Sequence, residues 1–391
     1  MRVNLRWFVL CLLLTFAACG TVARSSPVAP QDGDDCVPVG RWIVPATRVA
    51  LTTAELVDSL AEVRVVLLGE SHERDEHHRW QLQTIAALQA RHPMLVLGFE
   101  MFPRSSQAAL DEWRDGRLGE AEFLEASRWA EVWGMPPGLY LPLFHFARMN
   151  RVPLVGLNVD RDLVARVAKE GWARIPEEDR AGVSTPAPAS PAYREWLAEV
   201  YRQHAKEGGA ASDGLESFID AQLVRDRAFA AAIRDALLAQ PDALVIGVMG
   251  TGHLEHGWGV PHQLASLGVE DVAVLLPWEK SSSCDDLSAD VAAAVFGVDS
   301  LPEPARRPRL GVMIGEAKPG VSVVEVMAGS VAESAGIRVG DVIIEAAGQR
   351  LEGVTDLQRI VGHDPADKPL ALRVRRDGKT MEIEANLSGS P

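Results

Sequence analysis

The chain has 391 residues, of which 47% are hydrophobic and 24% are charged, a globular composition with room for two cores. The formal net charge is −15 at pH 7. This charge argues against a nucleic-acid binder, because no basic surface is available to neutralise phosphates. Acidity favours solubility but does not identify a partner.

Residues 1–19 have the pattern of a targeting segment. A positively charged start is followed by Trp7 to Phe16, an apolar run that is short for a membrane span. Phe16-Ala17-Ala18-Cys19 resembles a bacterial lipobox, which implies that Cys19 carries palmitate or a related acyl chain. Gly20 follows the cysteine, which favours the outer membrane, facing the periplasm or the cell surface. A plain secretory signal is the alternative.

Residues 20–39 are rich in proline, serine and aspartate, which predicts a flexible tether. Four cysteines are present; Cys11 leaves with the signal and Cys19 would carry lipid. Cys36 and Cys284 then remain. The compartment is oxidising and the mature protein keeps an even number of unmodified cysteines, so we predict a disulfide between these two. Two unrelated thiols are the alternative.

Three apolar runs lead into carboxylates or imidazoles. These are Val65–Leu68 before Glu70 and His72, Met94–Phe99 before Glu100, and Ala243–Met249 before His253. Such runs are typical of buried parallel strands, and functional groups collect past their carboxyl ends. We expect the four side chains to meet at one sheet edge, as acid–base catalysts or as ligands for zinc, manganese or iron. Each one alone could be a loop residue or a helix cap.

The same stretches carry a family resemblance over residues 40–280. Leu67-Leu68-Gly69-Glu70-Ser71-His72, Gly98-Phe99-Glu100-Met101-Phe102 and Gly250-Thr251-Gly252-His253 resemble motifs of the ChaN-like haem-uptake lipoproteins. These are similar in turn to Tiki proteins, TraB/PrgY-type peptidase-like proteins and erythromycin esterases. The resemblance implies a three-layer α/β/α domain with a largely parallel sheet, and haem with its iron as the ligand. Tyrosine is common in that family where Trp258 stands, so a role for a phenol there does not carry over.

The aromatic residues between 129 and 146 could line a pocket for a flat ligand or form ordinary core. Tyr140 is the tyrosine among them and is a candidate phenolate ligand for haem iron. His145 and Met149 are its rivals. The sequence leaves this choice open.

His77 and His78 begin an amphipathic helix predicted over Arg79–Arg91. Neighbours on a helix point about 100° apart, so we expect one of them, such as His77, to face the haem site and the other to be solvated. Arg161 follows a further strand at Val152–Asn158. It could hold a haem propionate or neutralise the acids at the neighbouring strand ends.

Residues 281–304 are rich in serine, aspartate and proline, which predicts a linker around a short helix at Val291–Phe296. Residues 305–391 then change character. Ala335-Gly336-Ile337-Arg338-Val339-Gly340-Asp341 resembles a small β-rich PDZ domain of the bacterial protease-associated type. The resemblance implies that Leu310-Gly311-Val312 binds the C-terminal carboxylate of envelope proteins, beside a helix at Thr355–Val361. A structural domain with an occluded groove is the alternative.

Two function classes follow from these patterns. The first is a membrane-anchored haem-binding lipoprotein for iron uptake, with a PDZ domain that binds protein C-termini. The second is a metal-dependent hydrolase, acting on peptides that the PDZ domain presents. A monomer and a homodimer both stay open.

Replacement of the lipobox cysteine tests the anchor. Cys19→Ala removes the only thiol that the lipobox offers for acylation, so the protein should move from the membrane fraction to the soluble periplasmic fraction. Fractionation followed by immunoblotting measures this, and the wild-type chain is the control. A variant that stays wholly with the membranes would place the anchor elsewhere.

Overall fold

The structure is a computed structural model that describes residues 35–206, 214–300, 310–327, 329–363 and 368–387. The predicted signal with Cys19, and the predicted tether up to residue 34, lie outside the described residues. The tether prediction is wrong for residues 36–39, because Cys36 is disulfide-bonded, Val37 is buried in the core and Val39 pairs with Gly297. Within those ranges, no helix is both long and apolar enough to cross a membrane.

The first domain is a twisted sheet between two layers of helices. Its strands are β1 Trp42–Val44, β2 Val49–Leu51, β3 Val65–Leu68, β4 Leu95–Pro103, β5 Leu154–Asn158, β6 Leu244–Val248, β7 Val272–Glu279 and β8 Ala294–Val298. Its helices are α1 Thr53–Ser59, α2 Asp75–Arg91, α3 Gln107–Arg114, α4 Glu120–Ala126, α5 Trp129–Val132, α6 Pro137–Asn150, α7 Arg161–Glu170, α8 Pro191–Lys206, α9 Gly214–Ala239 and α10 Val260–Ser266. Short 3-10 helices include Thr251–His253, directly after β6.

The strands lie in the order β2-β1-β8-β7-β3-β6-β4-β5. Neighbours from β8 to β5 pair in parallel, and β1 pairs antiparallel with β2 and β8. Leu68 and Phe99 both pair with Val248, so the carboxyl ends of β3, β4 and β6 lie side by side. The predicted fold class, a three-layer domain with a largely parallel sheet, is confirmed.

Alternation along the strands divides the core into two layers. Val65 and Leu67 of β3 pack with residues of α7, α9 and α10, whereas Val66 and Leu68 pack with residues of α1 to α6. All four are fully buried. A strand covered on both faces must be apolar at every position, which is why its sequence shows a continuous apolar run.

The predicted linker is wrong for residues 281–298. The segment predicted as a helix at Val291–Phe296 instead contributes to β8, which pairs with β7 and β1. Every residue of β8 is buried. Periodicity cannot distinguish a strand from a helix in so short an apolar run, and the pairing partners come from distant parts of the chain. The first domain therefore extends to Val298.

Cys36 and Cys284 form a disulfide with a Cα–Cα distance of 5.6 Å. The bridge joins the segment before β1 to the turn between β7 and β8, across a sequence separation of 248 residues. In the chain-entropy description, closing so long a loop contributes about 5.5 kcal/mol to stability.

The second domain is β-rich, as predicted. Its strands are β9 Val312–Glu316, β10 Val321–Val326, β11 Val342–Ala346, β12 Gln349–Arg350, β13 Leu370–Arg376 and β14 Lys379–Ala385, and its helices are α11 Val331–Ser334 and α12 Val354–His363. The strand order is β14-β13-β11-β10-β9, with β12 paired to β11. In this order β9 is a terminal strand, and α12 packs beside it.

Candidate functional site

The side chain at the end of β3 is a buried carboxylate. Glu70 is 2% exposed. Its Oε1 accepts hydrogen bonds from Tyr140 Oη at 2.7 Å and His72 Nδ1 at 2.8 Å, and its Oε2 accepts one from Gln81 Nε2 at 3.0 Å. Burial raises the pKa of Glu70, but hydrogen bonds from His72 and His78 outweigh burial and leave the pKa well below its usual range. Glu70 is therefore an ionised group that orients its donors.

His72 is the most accessible member of this group, with 34% of its side chain exposed. Glu70 holds its Nδ1, and the ring packs edge-on against Trp133 at a centroid distance of 4.7 Å. A Cβ atom at Gly250 would lie 3.3 Å from His72 Nε2 and 3.6 Å from Glu100 Oε2. The absent side chain at Gly250 thus lets the free nitrogen of His72 approach Glu100. A carboxylate-oriented imidazole of this kind can accept or donate a proton.

The carboxylate of Glu100 lies next to the loop after β6. Its Oε2 accepts a hydrogen bond from the backbone N–H of Gly250 at 2.6 Å, and its Oε1 lies 3.4 Å from His253 Nε2. The other ring nitrogen of His253 donates to Asp226 Oδ1 at 2.5 Å. Burial lowers the pKa of His253, but the charges of Glu100 and Asp226 outweigh burial and raise the pKa to about 10. His253 is thus an imidazolium between two carboxylates.

Asp226 and Tyr193 are members of this network that the sequence analysis missed. Asp226 is fully buried, and its Oδ2 accepts a hydrogen bond from Tyr193 Oη at 2.8 Å. A signal was available, because Asp226 lies in a long helix whose residues from Leu223 to Ile233 are buried on almost every side. A carboxylate in such a helix must have buried partners.

Two of the residues predicted to bind haem, Tyr140 and His77, lie around Glu70 and the loop that follows it. Tyr140 is fully buried and donates to Glu70, so its hydroxyl is already engaged. His77 is 4% exposed, and its Nδ1 accepts from the backbone N–H of Ser71 at 2.9 Å. Burial, with the nearby charge of His78, lowers the pKa of His77 to about 4.

The expectation that one histidine of the pair is solvated is wrong. His78 is only 2% exposed, and its Nε2 donates to the backbone carbonyl of His72 at 3.1 Å. Its ring packs against Tyr140 at a centroid distance of 4.3 Å. The first turn of α2 lies against the sheet edge and the aromatic layer, so both rings are covered there.

A cavity of about 800 Å³ opens beside Glu100. Among its lining residues are the apolar or aromatic side chains of Met101, Trp133, Tyr201 and Phe218. Its charged lining residues are Glu100, Arg128, Glu131, Asp160, Arg161, Asp162 and Arg225. This volume is in the range of cofactor-sized sites. Of the residues predicted for haem, Arg161 lines the cavity.

The structure brings the four predicted residues together, although Glu100 lies within β4, directly after the last pair of β4 with β6 at Phe99 and Val248, and not after the end of the strand. They form two linked pairs, Glu70 with His72 and Glu100 with His253. Across the part of the chain that the structure describes, no group of three or more His, Cys, Asp or Glu side chains is arranged to hold a metal ion. What the arrangement shows is a buried acid–base network beside a cavity.

A family profile described as haem-binding uptake, Tiki superfamily, ChaN matches residues 56–264, which is more than half of the chain. The chain belongs to this ChaN family. A PDZ profile matches residues 308–387, which contain the second domain. The resemblances inferred from the sequence motifs are therefore confirmed for both domains.

Solved structures and curated relatives are similar over defined parts of this ChaN-family chain. ChaN of Campylobacter jejuni, in a structure of cofacial haem binding, gives a TM-score of 0.52 at 16% identity, over 65% of this chain and 95% of that one. This likeness shows a shared fold. A DegP-like periplasmic serine endoprotease of Marinomonas sp. (strain MWYL1) is 38% identical over 72 residues, 18% of this chain and 15% of that protein. Metalloprotease MmpA of Caulobacter vibrioides is 36% identical over 74 residues, 19% of this chain and 18% of that protein. The chain thus spans under a fifth of the length of these two relatives.

His253→Gln should reduce the loss of stability at alkaline pH. Because the folded-state pKa of about 10 exceeds the ordinary 6.5, the imidazolium stabilises the fold fully below pH 6.5, and this contribution disappears as pH rises towards 10. The free energy of unfolding of the wild type should therefore fall more steeply over this range than that of the variant. Urea unfolding at several pH values measures both slopes.

His145→Gln is the matched control for this experiment. His145 is an exposed imidazole whose Nε2 lies 3.0 Å from Glu120 on the surface. This variant should keep the wild-type slope. Equal slopes for wild type and His253→Gln would contradict the pairing of His253 with the two carboxylates.

Proposed function

We propose that this protein is a lipid-anchored haem-binding protein of the cell envelope, whose PDZ domain binds protein C-termini. The observation that carries the proposal is the cavity of about 800 Å³ at the carboxyl edge of a ChaN-family sheet. Haem is a flat apolar ring with two carboxylates. Aromatic walls and arginines in one cavity suit both parts of it.

Tyr201 is the iron ligand that we propose. The hydroxyl of Tyr140 is engaged with Glu70, whereas Tyr201 lines the cavity and its ring packs against Phe218 at 5.7 Å. A phenolate oxygen is an established axial ligand for haem iron. Trp133 and Phe218 would cover the porphyrin, and Arg161 would face a propionate.

The predicted anchor at Cys19 and the PDZ domain support a location at the cell envelope. Acylation of Cys19 would hold the first domain near the outer membrane through the segment that precedes Cys36. At the second domain, Gly311 has a φ of 74°, and any side chain there would collide with Ser330. The loop before β9 thus requires glycine. An open edge strand beside α12 supports capture of a peptide terminus by strand addition.

A hydrolase is the second candidate function, and one observation favours it. Four buried groups, Tyr193, Asp226, His253 and Glu100, form a proton-transfer chain that ends beside the partly exposed His72. A binding protein does not need this network, whereas activation of water by His72 would use it. This second proposal rests on the residues of the network and not on the comparisons with known proteins.

A haemin titration tests the first function. The wild-type protein should develop a Soret band, and Tyr201→Phe should shift the band and weaken binding by about tenfold or more, because the axial oxygen is lost. Tyr140→Phe removes the same single atom from a tyrosine outside the cavity lining, so its haemin spectrum should match the wild type. Absence of a Soret band in the wild type would overturn the function. A shift in Tyr140→Phe alone would move the ligand to Tyr140.

The wild-type protein and His72→Gln test the second function, hydrolysis. Fluorescein-labelled casein should be cleaved by the wild type and not by His72→Gln if the second function holds, and haemin affinity should be equal in both. Cleavage that survives in His72→Gln would exclude His72 as the general base. If haemin binding depends on Tyr201 and no casein is cleaved, only the first function is supported.

Peptide binding tests the PDZ domain. Fluorescein-labelled decapeptides are prepared in pairs, one with a free C-terminal carboxylate and one with an amide. The acid should bind at least about tenfold more tightly, because backbone N–H groups of the Leu310–Val312 loop lose a charged acceptor in the amide. Fluorescence polarisation gives both affinities. Equal binding of both forms would argue against recognition of the terminus.

A further inference from the structure

Arg225 is a half-buried arginine that lines the cavity from α9. In the described ranges, no residue accepts a hydrogen bond from its guanidinium. Its nearest opposite charges, Glu100 and Asp226, act on it only at longer range. Glu100 is already engaged with Gly250 and His253, and Asp226 with Tyr193 and His253. Arg225 therefore faces the cavity with its donors unused.

Other arginines near the cavity have partners. Arg227, two residues further along α9, donates to the hydroxyls of Ser184 at 3.0 Å and Ser266 at 2.6 Å. Arg128 pairs with Glu131 at 2.5 Å. Arg161 is exposed at the cavity mouth and donates once, to the carbonyl of Val132 at 3.1 Å. The burial of Arg225 is costly unless something else supplies an acceptor.

We propose that Arg225, together with Arg161 at the mouth, forms a carboxylate-binding subsite of the cavity. The planar guanidinium can hold a carboxylate through two parallel hydrogen bonds. At Arg225 a carboxylate group, with its single charge, fits better than a phosphate, because Glu100, Glu131, Asp160 and Asp162 also line the cavity and would repel a second negative charge on the same group. The carboxylate could be a haem propionate or belong to a small free acid. The haem case rests on the proposed function.

The charge of Arg225 also agrees with this assignment. Burial lowers the pKa of Arg225, and the charge of Arg161 lowers it further, whereas Glu100 and Asp226 raise it. An anion between the two guanidinium groups would relieve their repulsion.

Arg225→Gln tests the subsite, and Arg128→Gln is its matched control in the same cavity. Haemin and haemin dimethyl ester, whose carboxylates are blocked, serve as two probes, and glutarate serves as the free acid. Arg225→Gln should weaken haemin at least about tenfold, because a charge-assisted bidentate contact is lost. It should not change the affinity for the dimethyl ester. Arg128→Gln should match the wild type throughout, because Arg128 is already paired. Arg161→Gln, at the exposed mouth, provides the same comparison if Arg225→Gln folds poorly.

The outcomes separate this inference from the proposed function. Loss of haemin affinity that esterification abolishes supports a propionate at Arg225. If the wild type does not bind haemin but binds glutarate in calorimetry, and Arg225→Gln does not, the subsite stands and the haem function fails. The subsite would be overturned if Arg225→Gln and Arg161→Gln both bound haemin and glutarate with wild-type affinity. A wild type that binds neither probe would also overturn it.

Discussion

The carboxylate of Glu70 is a buried charge that several separate elements must satisfy. Burying an ionised group without partners costs several kcal/mol, so its donors must be in place whenever the domain is folded. His72 comes from the same loop, His78 and Gln81 come from α2, and Tyr140 comes from α6. The correct docking of both helices against the end of β3 is therefore coupled to the ionisation of Glu70, and the position of His72 is coupled to both.

A second carboxylate network meets the first at Gly250. Glu100, His253, Asp226 and Tyr193 connect β4, the loop after β6, α9 and α8. Because Gly250 has no side chain, the ring of His72 and the carboxylate of Glu100 approach the same backbone. The cavity lies on the Glu100 side of this meeting point. The proposed ligand site and the proposed proton-transfer network therefore share Glu100, so the two proposed functions use one region of the domain.

Sequence patterns anticipated the strand ends well and the chain segments around them less well. Apolar runs that lead towards polar residues located β3, β4 and β6, because a strand buried on both faces is apolar along its paired length. The same rule failed at β8, where the strand is only five residues long and one pairing partner, β1, is far away in sequence. It also failed for His77 and His78, because helical spacing says where side chains point and not what packs over them.

The sequence by itself determined the order of the two domains, the carboxyl-edge location of Glu70, His72, Glu100 and His253, and the PDZ motif. These features are local, since each depends on residues within one strand or one loop. Only the tertiary structure decided that Tyr140 donates a hydrogen bond to Glu70 and that Asp226 accepts one from His253. It also decided that Tyr201 and Arg225 line the cavity. Helices α6, α8 and α9 supply these residues. Their contacts depend on how each helix rotates and docks on the sheet, which is set by packing between residues distant in the chain.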